Sequence, residues 1–190
     1  MKPTGPVFDR SWRARCRVTR LDRDSAAPMV RSHYLGKFPG VCVLILGLML
    51  DDAPVGIIMF ALPPRETAKR YGGVTWELAR LWVADEMPQN TETYLISQAV
   101  KTIRKERPDV MTLVSYADPS AGHAGTIYKA ANWAADGRTD DGRKTPRCDY
   151  ADKRTGKRYS RRSHVPADAD IVRVPRVSKH RFTYQLRSKA

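Results

Sequence analysis

The chain has 190 residues, a formal net charge of +14 and 42% hydrophobic residues, which is enough apolar sequence for one folded domain with a substantial core. Its most apolar run, Val41 to Leu50, is about half as long as a bilayer-crossing helix, so we expect no membrane span. The three cysteines are too widely spaced for a disulfide framework and no signal-like apolar stretch follows Lys2, so we expect a cytoplasmic protein.

The positive charge is concentrated at the two ends of the chain. Residues 31–137 hold eleven Lys and Arg against eleven Asp and Glu, whereas residues 138–190 hold sixteen against six and residues 1–30 seven against three. A separate basic block is what a polyanion-binding surface needs, although a solvated tail has the same composition. We therefore expect a single domain, residues 1–190, with a neutral core (31–137), a basic extension with closing strands (138–190) and nucleic acid as the partner.

The first predicted elements are an edge strand and a short helix. Phe8 to Thr19 alternates roughly between apolar and basic residues, which indicates an edge strand with a cationic outer face. Asp22 and the residues after it provide N-caps for a helix that ends near His33 and Tyr34. A histidine and a tyrosine at the exit of a helix are more often packing residues than functional ones.

Two apolar runs, Val41–Leu50 and Val55–Ala61, are joined by turn residues and predict a hairpin whose two faces are both covered. A polar loop follows the hairpin. Its cations are either solvated or in contact with phosphate, and they are Arg65, Lys69 and Arg70.

A central strand, Trp76–Ala84, precedes a helix from Thr91 to Glu106, whose apolar residues recur on one face. The strand, its loop and the free backbone N–H groups of the helix start form a candidate phosphate cradle, without a glycine-rich fingerprint. A short buried strand, Met111–Val114, comes next.

The stretch from Ser115 to Trp133 is the candidate functional centre. Asp118-Pro119 ends the strand, a loop with two glycines follows, and residues 126–131 predict one or two turns of helix. Asp118, His123 and Tyr128 should therefore lie at a strand end and a helix start, where α/β sheets usually carry their sites. A turn aspartate, a loop histidine and a core tyrosine are the alternative reading.

The last fifty residues predict a basic hairpin and two closing strands. The hairpin spans Arg143 to Arg162, and the strands span Ile171–Val177 and Arg181–Leu186. Tyr150 and Tyr159 alternate with the cations, as in surfaces that stack bases or contact phosphates. The predicted DNA-binding cations here are Lys153, Arg154, Lys157, Arg158, Arg161 and Arg162.

The order of elements resembles that of the GNAT acetyltransferase fold, an α/β fold with a mixed, largely antiparallel central sheet flanked by helices. The resemblance implies acetyl-CoA as the cofactor, with its pyrophosphate at the helix after the fourth strand. Ordinary GNAT proteins carry a glycine-rich loop there, and Asn90-Thr91-Glu92-Thr93 stands in its place. The implied cofactor-binding residues are Arg80, Leu81, Trp82, Val83, Asn90, Thr91, Glu92 and Thr93.

Several motifs more specifically resemble the phage Mom DNA-modification proteins, a divergent GNAT-like family, and their order and spacing strengthen the match. They are His33-Tyr34 before Pro39-Gly40, Leu62-Pro63-Pro64-Arg65, Glu77–Leu81 (ELARL) before Pro88–Glu92 (PQNTE), Tyr116–Pro119 (YADP), Gly122–Tyr128 (GHAGTIY), Asn132-Trp133 and Lys179–Phe182 (KHRF).

This resemblance implies a transferase that places a carbamoylmethyl or methylcarbamoyl group on the exocyclic amine of adenine in phage DNA, which blocks host restriction enzymes. It further implies acetyl-CoA as donor, an iron ion, double-stranded DNA as partner and the cytoplasm of an infected bacterium. The catalytic residues carried over are His33, Tyr34, Asp118 and Tyr128. Their nitrogen and oxygen donors suit iron, and they equally suit metal-free acid–base catalysis.

Two further interpretations remain open. A conventional GNAT enzyme would acetylate a protein or a small-molecule amine, and a non-catalytic basic protein would only bind nucleic acid. If adenine is the substrate, the base must leave the duplex and be received by aromatic side chains. The candidates are Trp82, Trp133, Tyr116 and Tyr71.

Overall fold

The computed structural model describes residues 12–160 and 163–187 as a seven-stranded sheet with helices on both faces and a second, three-stranded sheet. The helices are α1 (Trp12–Arg15), α2 (Arg23–Ser32), α3 (Arg65–Tyr71), α4 (Thr91–Glu106) and α5 (Thr126–Ala130). The strands are β1 (Cys16–Arg20), β2 (Cys42–Leu50), β3 (Ala53–Ala61), β4 (Val74–Val83), β5 (Val110–Ala117), β6 (Ala134–Arg138), β7 (Cys148–Asp152), β8 (Arg158–Tyr159), β9 (Ile171–Pro175) and β10 (His180–Gln185).

The main sheet has the order β1-β2-β3-β4-β5-β10-β6, and only its β4–β5 pair is parallel. α4 covers one face, where its apolar residues pack with those of β2–β5 in the larger core cluster. α2 covers the other face, where Met29 and Val30 pack against Ile57 and Met59. The prediction of a mixed, largely antiparallel sheet between helices is confirmed.

Local chemistry explains the elements that the sequence predicted best. The Asp22 carboxylate accepts a hydrogen bond from the Ser25 N–H at 2.8 Å and so caps α2. Asp51 and Asp52 have φ angles of 46° and 66°, as a two-residue hairpin turn between right-twisted strands requires.

The N-terminal strand and the polar loop differ from prediction. Residues 12–15 form a helical turn before β1, and Phe8 lies outside the described residues. The predicted loop after the hairpin contains α3, because Glu66 to Arg70 are good helix formers once Pro64 has ended β3.

The basic extension, residues 138–190, contains strands at both places where closing strands were predicted, namely β9 and β10. Its last strand, β10, is inserted in the main sheet between β5 and β6, and the chain from β7 to β9 forms the second sheet. No strand signal is present for β6, since Ala134–Arg138 (AADGR) lacks β-branched residues. Its pairing with β10, not its own propensity, makes it a strand.

Among the described residues, none of the helices combines the length and the hydrophobicity that crossing a membrane would require.

Candidate functional site

The centre of the main sheet opens where β4 and β5 separate. The two strands pair only from Val74 and Val110 to Glu77 and Val114, and beyond this point β4 keeps only β3 as a neighbour. Within residues 12–160 and 163–187, the backbone of β4 after Glu77 therefore has no strand partner on the β5 side. Such an edge can hydrogen-bond an extended ligand in place of a strand.

A cavity of about 260 Å³ fills this opening. Three of the four predicted catalytic residues, His33, Tyr34 and Tyr128, line it. Arg80 and the loop before α5, including His123, complete the wall. Two chain segments almost a hundred residues apart thus meet in one pocket, as the motif order predicted.

His33 is buried and is held in one tautomer. Its Nδ1 accepts the Leu35 N–H at 3.1 Å, so the proton of the neutral ring lies on Nε2. Burial, together with the positive charges of Arg80 and His123, lowers the pKa of His33 to about 4. At neutral pH, His33 is therefore a hydrogen-bond donor through Nε2 and not a general base.

The lowered pKa predicts a pH-dependent stability. Between pH 6.5 and about 4, His33 binds a proton in the unfolded chain but not in the folded one, so the free energy of unfolding should fall as the pH falls. Above pH 6.5 the contribution is fully present. In His33→Asn the amide oxygen can still accept the Leu35 N–H, but the titrating group is lost. Urea unfolding at pH 7, 6 and 5 should show a shallower slope for His33→Asn than for wild type.

His164, which is exposed, provides the matched control for this pH dependence. His164→Asn should keep the wild-type slope. A wild-type slope in His33→Asn would show that His33 titrates normally in the folded protein.

Tyr128 lies under the pocket with its ring 7% exposed and stacked on Phe182 at 5.1 Å. Its hydroxyl lies 2.8 Å from Ser115 Oγ, which also donates to the Leu78 carbonyl at 2.8 Å. Burial raises the pKa of Tyr128 to about 12. The phenol is therefore protonated at neutral pH, and a proton donor lies where the two strands separate.

Asp118 lies behind the pocket wall. Its carboxylate is bound by Lys179 Nζ at 2.8 Å and by the hydroxyl and N–H of Ser120 at 2.6 and 3.0 Å. Burial alone would raise the pKa of Asp118, but the hydrogen bonds from Lys179 and Ser120 lower it below its usual value. Asp118 thus fastens β10 to the loop that carries His123.

The proposed iron ligands do not fit this arrangement. The Nε2 atom of His33 carries the proton, the Asp118 carboxylate is occupied by Lys179, and the Tyr128 hydroxyl is bonded to Ser115. Residues 12–160 and 163–187 contain no group of three His, Cys, Asp or Glu side chains that could hold a metal ion. Iron therefore has no support from the described residues.

Glu77 and Arg80 are charged residues on the same strand, β4, and the sequence analysis did not identify them as neighbours in one site. Burial raises the pKa of Glu77, and the positive charges of Arg80 and Lys179 offset part of this effect. Arg80 donates from Nε to the Lys37 carbonyl at 2.9 Å, which holds the loop after His33 against β4. The available signal was that these are the two charged positions of an otherwise apolar strand.

The predicted cofactor residues lie on β4 and at the start of α4. Arg80 and Leu81 line the cavity, whereas Trp82 packs against the α2 face and Val83 against the larger core. Asn90 adopts φ 71° before α4, and the buried Thr91 donates to the Pro88 carbonyl at 2.6 Å. Within the described chain, the N–H groups of Glu92 and Thr93 have no acceptor, so an anion could accept from them.

Of the four aromatic residues predicted to receive a base, Tyr116 lines the cavity. Trp133 is buried in the core, and the hydroxyl of Tyr71 donates to Asp136. The sequence missed a better-placed ring: Tyr34 is 52% exposed at the cavity rim and lies 5.0 Å from the His123 ring.

Several predicted DNA-binding cations are paired with carboxylates. Lys153 lies 3.0 Å from Asp170, Arg154 3.5 Å from Asp168, and Lys69 3.8 Å from Glu66. The others either are exposed or contact other groups, and two lie outside the described residues. They are Arg65 and Arg158 (exposed), Arg70 (near Asp136), Lys157 (over the Tyr159 ring), and Arg161 and Arg162 (not described).

The fold is shared with solved acetyltransferases of very different sequence. Arabidopsis thaliana NAA60, solved in complex with acetyl-CoA, matches with a TM-score of 0.58 at 9% identity over 90% of this chain and 98% of that one. A GNAT-family protein from Desulfovibrio desulfuricans matches with a TM-score of 0.55 at 12% identity, over 90% and 99% of the two chains. These likenesses establish the GNAT fold.

A closer relative is the methylcarbamoylase Mom of Escherichia phage Mu, which is 36% identical over 107 residues. The alignment covers 53% of this chain and 44% of the phage Mu protein, so it spans less than half of that relative. The pattern of the Mom protein family extends much further, from residue 15 to residue 190. It includes the His33-Tyr34 pair, the separated strands and the loop that carries Tyr128, and the chain therefore belongs to the Mom protein family.

Proposed function

We propose that this protein is a DNA-modifying transferase that places a methylcarbamoyl-type group on the exocyclic amine of adenine with acetyl-CoA as its cofactor, and that the modification protects phage DNA from host restriction enzymes. The observation that carries the proposal is the pocket between β4 and β5, which brings His33, Tyr34 and Tyr128 together. The name of the phage Mu relative supports the type of group transferred.

The cofactor site is proposed along the open edge of β4. The unpaired backbone after Glu77 suits the amides of the pantetheine arm, and the free N–H groups of Glu92 and Thr93 suit the pyrophosphate. Acetyl-CoA, when bound, would supply a two-carbon unit with a thiolate as leaving group. The amide nitrogen of the product would come from a separate ammonia-level nitrogen donor, and its formation would require a two-electron oxidant.

The residues around the pocket divide the proton transfers between them. Glu77 is the proposed acceptor of the proton from the adenine amine, because it directly precedes the pocket residue Leu78 on β4 and its charge acts on Tyr116 and Tyr128 in the pocket lining. Burial raises its pKa, which makes the carboxylate a more effective base. Tyr128 holds the proton that the departing thiolate needs. The Nε2–H of His33 is a neutral donor that can stabilise negative charge developing on a carbonyl oxygen.

Adenine must leave the duplex before its amine can enter a pocket of this size. The exposed ring of Tyr34 and the ring of Tyr116 are the proposed surfaces on which the flipped base stacks. Each stacked ring contributes on the order of 1–3 kcal/mol to binding of an unpaired base.

The test is a nucleoside mass spectrum of DNA from bacteria that express the protein. A deoxyadenosine heavier than the unmodified nucleoside is expected, and the same DNA should resist restriction enzymes whose sites contain adenine. Unmodified adenine with acetylated lysine or an acetylated small amine would instead identify a conventional N-acetyltransferase. Unmodified adenine without any acetylated product would contradict both functions.

A further inference from the structure

The second sheet carries a basic cavity that no part of the proposed reaction uses. The cavity has a volume of about 480 Å³ and is lined by three arginines together with Thr145 and Tyr150. The arginines are Arg143, Arg147 and Arg173.

The cavity combines residues from three separate parts of the chain. Arg173 on β9 lies directly opposite Tyr150 on β7, so their side chains leave the same face of the second sheet. Arg143 and Thr145 come from the segment between β6 and β7. The spacing of these residues in the sequence does not indicate that they meet.

Two of the three arginines in this cavity lack a carboxylate partner among the described residues. Among the described residues, Arg147 is paired with Asp140, whereas Arg143 and Arg173 have no carboxylate partner. None of the described residues that line the cavity is an aspartate or a glutamate. At the hairpin turn of the same sheet, in contrast, the cations do have carboxylate partners. Lys153 is paired with Asp170, and Arg154 is paired with Asp168.

The second sheet is fastened beside the catalytic pocket. Arg147, which directly precedes β7, is paired with Asp140 at 2.5 Å. The Asp140 N–H donates to Ser178 Oγ at 3.3 Å, and the neighbouring Lys179 binds Asp118 next to the pocket loop. Arg147 is close enough to Tyr116 that its charge acts on the pKa of this tyrosine, against the larger effect of burial, which raises it. An anion bound in the cavity would therefore lie near the pocket that receives the base.

We propose that the cavity formed by Arg143, Arg147, Arg173 and Tyr150 is a phosphate-binding site that holds the backbone of double-stranded DNA while the target base occupies the pocket. Guanidinium groups bind phosphate oxygens in a bidentate manner, and the hydroxyls of Tyr150 and Thr145 are suitable additional donors. The site rests on the proposed function, because DNA is its substrate. Contacts to phosphate would fix the position of the duplex without reading its sequence.

The test measures binding of a fluorescent 20-base-pair duplex by anisotropy at several salt concentrations. Arg143→Gln with Arg173→Gln should weaken binding on the order of tenfold at 0.15 M salt. Because each lost phosphate contact removes about 0.9 from the slope of log K against log salt, the slope should become shallower by roughly 1.8. A second duplex of unrelated sequence should show the same losses.

Lys153→Gln with Arg154→Gln is the matched control, because it removes the same charge from the same sheet but only at paired cations. It should change affinity and slope little. Equal losses in the two double variants would show an effect of total charge and overturn the site. The site would also be overturned if Arg143→Gln with Arg173→Gln bound DNA like the wild type, or if it lost affinity for only one of the two DNA sequences.

Failure of this site is distinguishable from failure of the proposed function. If wild-type protein yields modified deoxyadenosine while the arginine variant binds DNA normally, only the phosphate site is wrong. If wild-type protein leaves adenine unmodified, the proposed function itself is wrong. Unchanged melting temperatures of both double variants would confirm that folding does not explain the result.

Discussion

Tyr128→Phe should abolish the modified deoxyadenosine while leaving the protein folded. The substitution removes a single hydroxyl, the one that lies 2.8 Å from Ser115 Oγ at the point where β4 and β5 separate. Since a positioned general acid contributes roughly 10²–10⁴-fold to a rate, the yield in a nucleoside mass spectrum should fall by at least about a hundredfold.

The fold should tolerate this change because Ser115 keeps its hydrogen bond to the Leu78 carbonyl. The ring of Phe fills the same space against Phe182, so the free energy of unfolding should fall by about 1 kcal/mol. Urea unfolding measures this loss independently of activity.

Tyr184→Phe is the matched control. Tyr184 belongs to the same aromatic group, since its ring lies 5.8 Å from Trp133, but its hydroxyl contacts Arg104 at 3.4 Å, and neither residue is among those that line the pocket. This variant should retain wild-type modification. Full activity of Tyr128→Phe, or equal losses in the two variants, would remove Tyr128 from the proposed proton transfer.

Gly125→Ala should be strongly destabilising and should disrupt the pocket. Gly125 adopts φ +79°, and a Cβ atom at this position would lie 2.3 Å from two ring atoms of Phe182. Phe182 is 2% exposed and stacked on Tyr128, so it has little room to move without displacing the Tyr128 ring. The left-handed backbone costs about 1 kcal/mol and the overpacking about 1–3 kcal/mol, so the free energy of unfolding should fall by roughly 2–4 kcal/mol.

Gly122→Ala separates these two costs. Gly122 has nearly the same backbone conformation, φ +76°, but a Cβ atom there would meet nothing within 4 Å. Its substitution should therefore cost only about 1 kcal/mol in urea unfolding. If the two variants lost the same stability, the close approach of Phe182 to Gly125 would not contribute to the loss of stability in Gly125→Ala.

Strong local signals explain which elements were predictable. The Asp22 cap of α2, the apolar face of α4, the aspartate turn between β2 and β3 and the Asp118-Pro119 break each depend on a few neighbouring residues. Where pairing outweighed local preference, prediction failed: β6 has no strand signal and exists because β10 pairs with it.

The candidate site was predictable in its membership but not in its chemistry. The motifs led to His33, Tyr34 and Tyr128, which share the cavity. They also led to Asp118, which instead binds Lys179, a residue about sixty positions later whose approach follows from the placement of β10. The roles of Glu77 and Tyr34 depend on burial and exposure, which a single sequence does not report.

The sequence by itself determined the family, most of the main helices and strands and three of the residues that meet in the pocket, because motifs and caps act over short stretches of chain. Only the tertiary structure decided which charges are available, since ion pairs join residues that are distant in sequence. It neutralises Lys153 and Arg154 through Asp170 and Asp168 and leaves Arg143 and Arg173 without carboxylates among the described residues. It also fixes the protonation of His33, because burial and the Leu35 N–H arise only when the chain is folded.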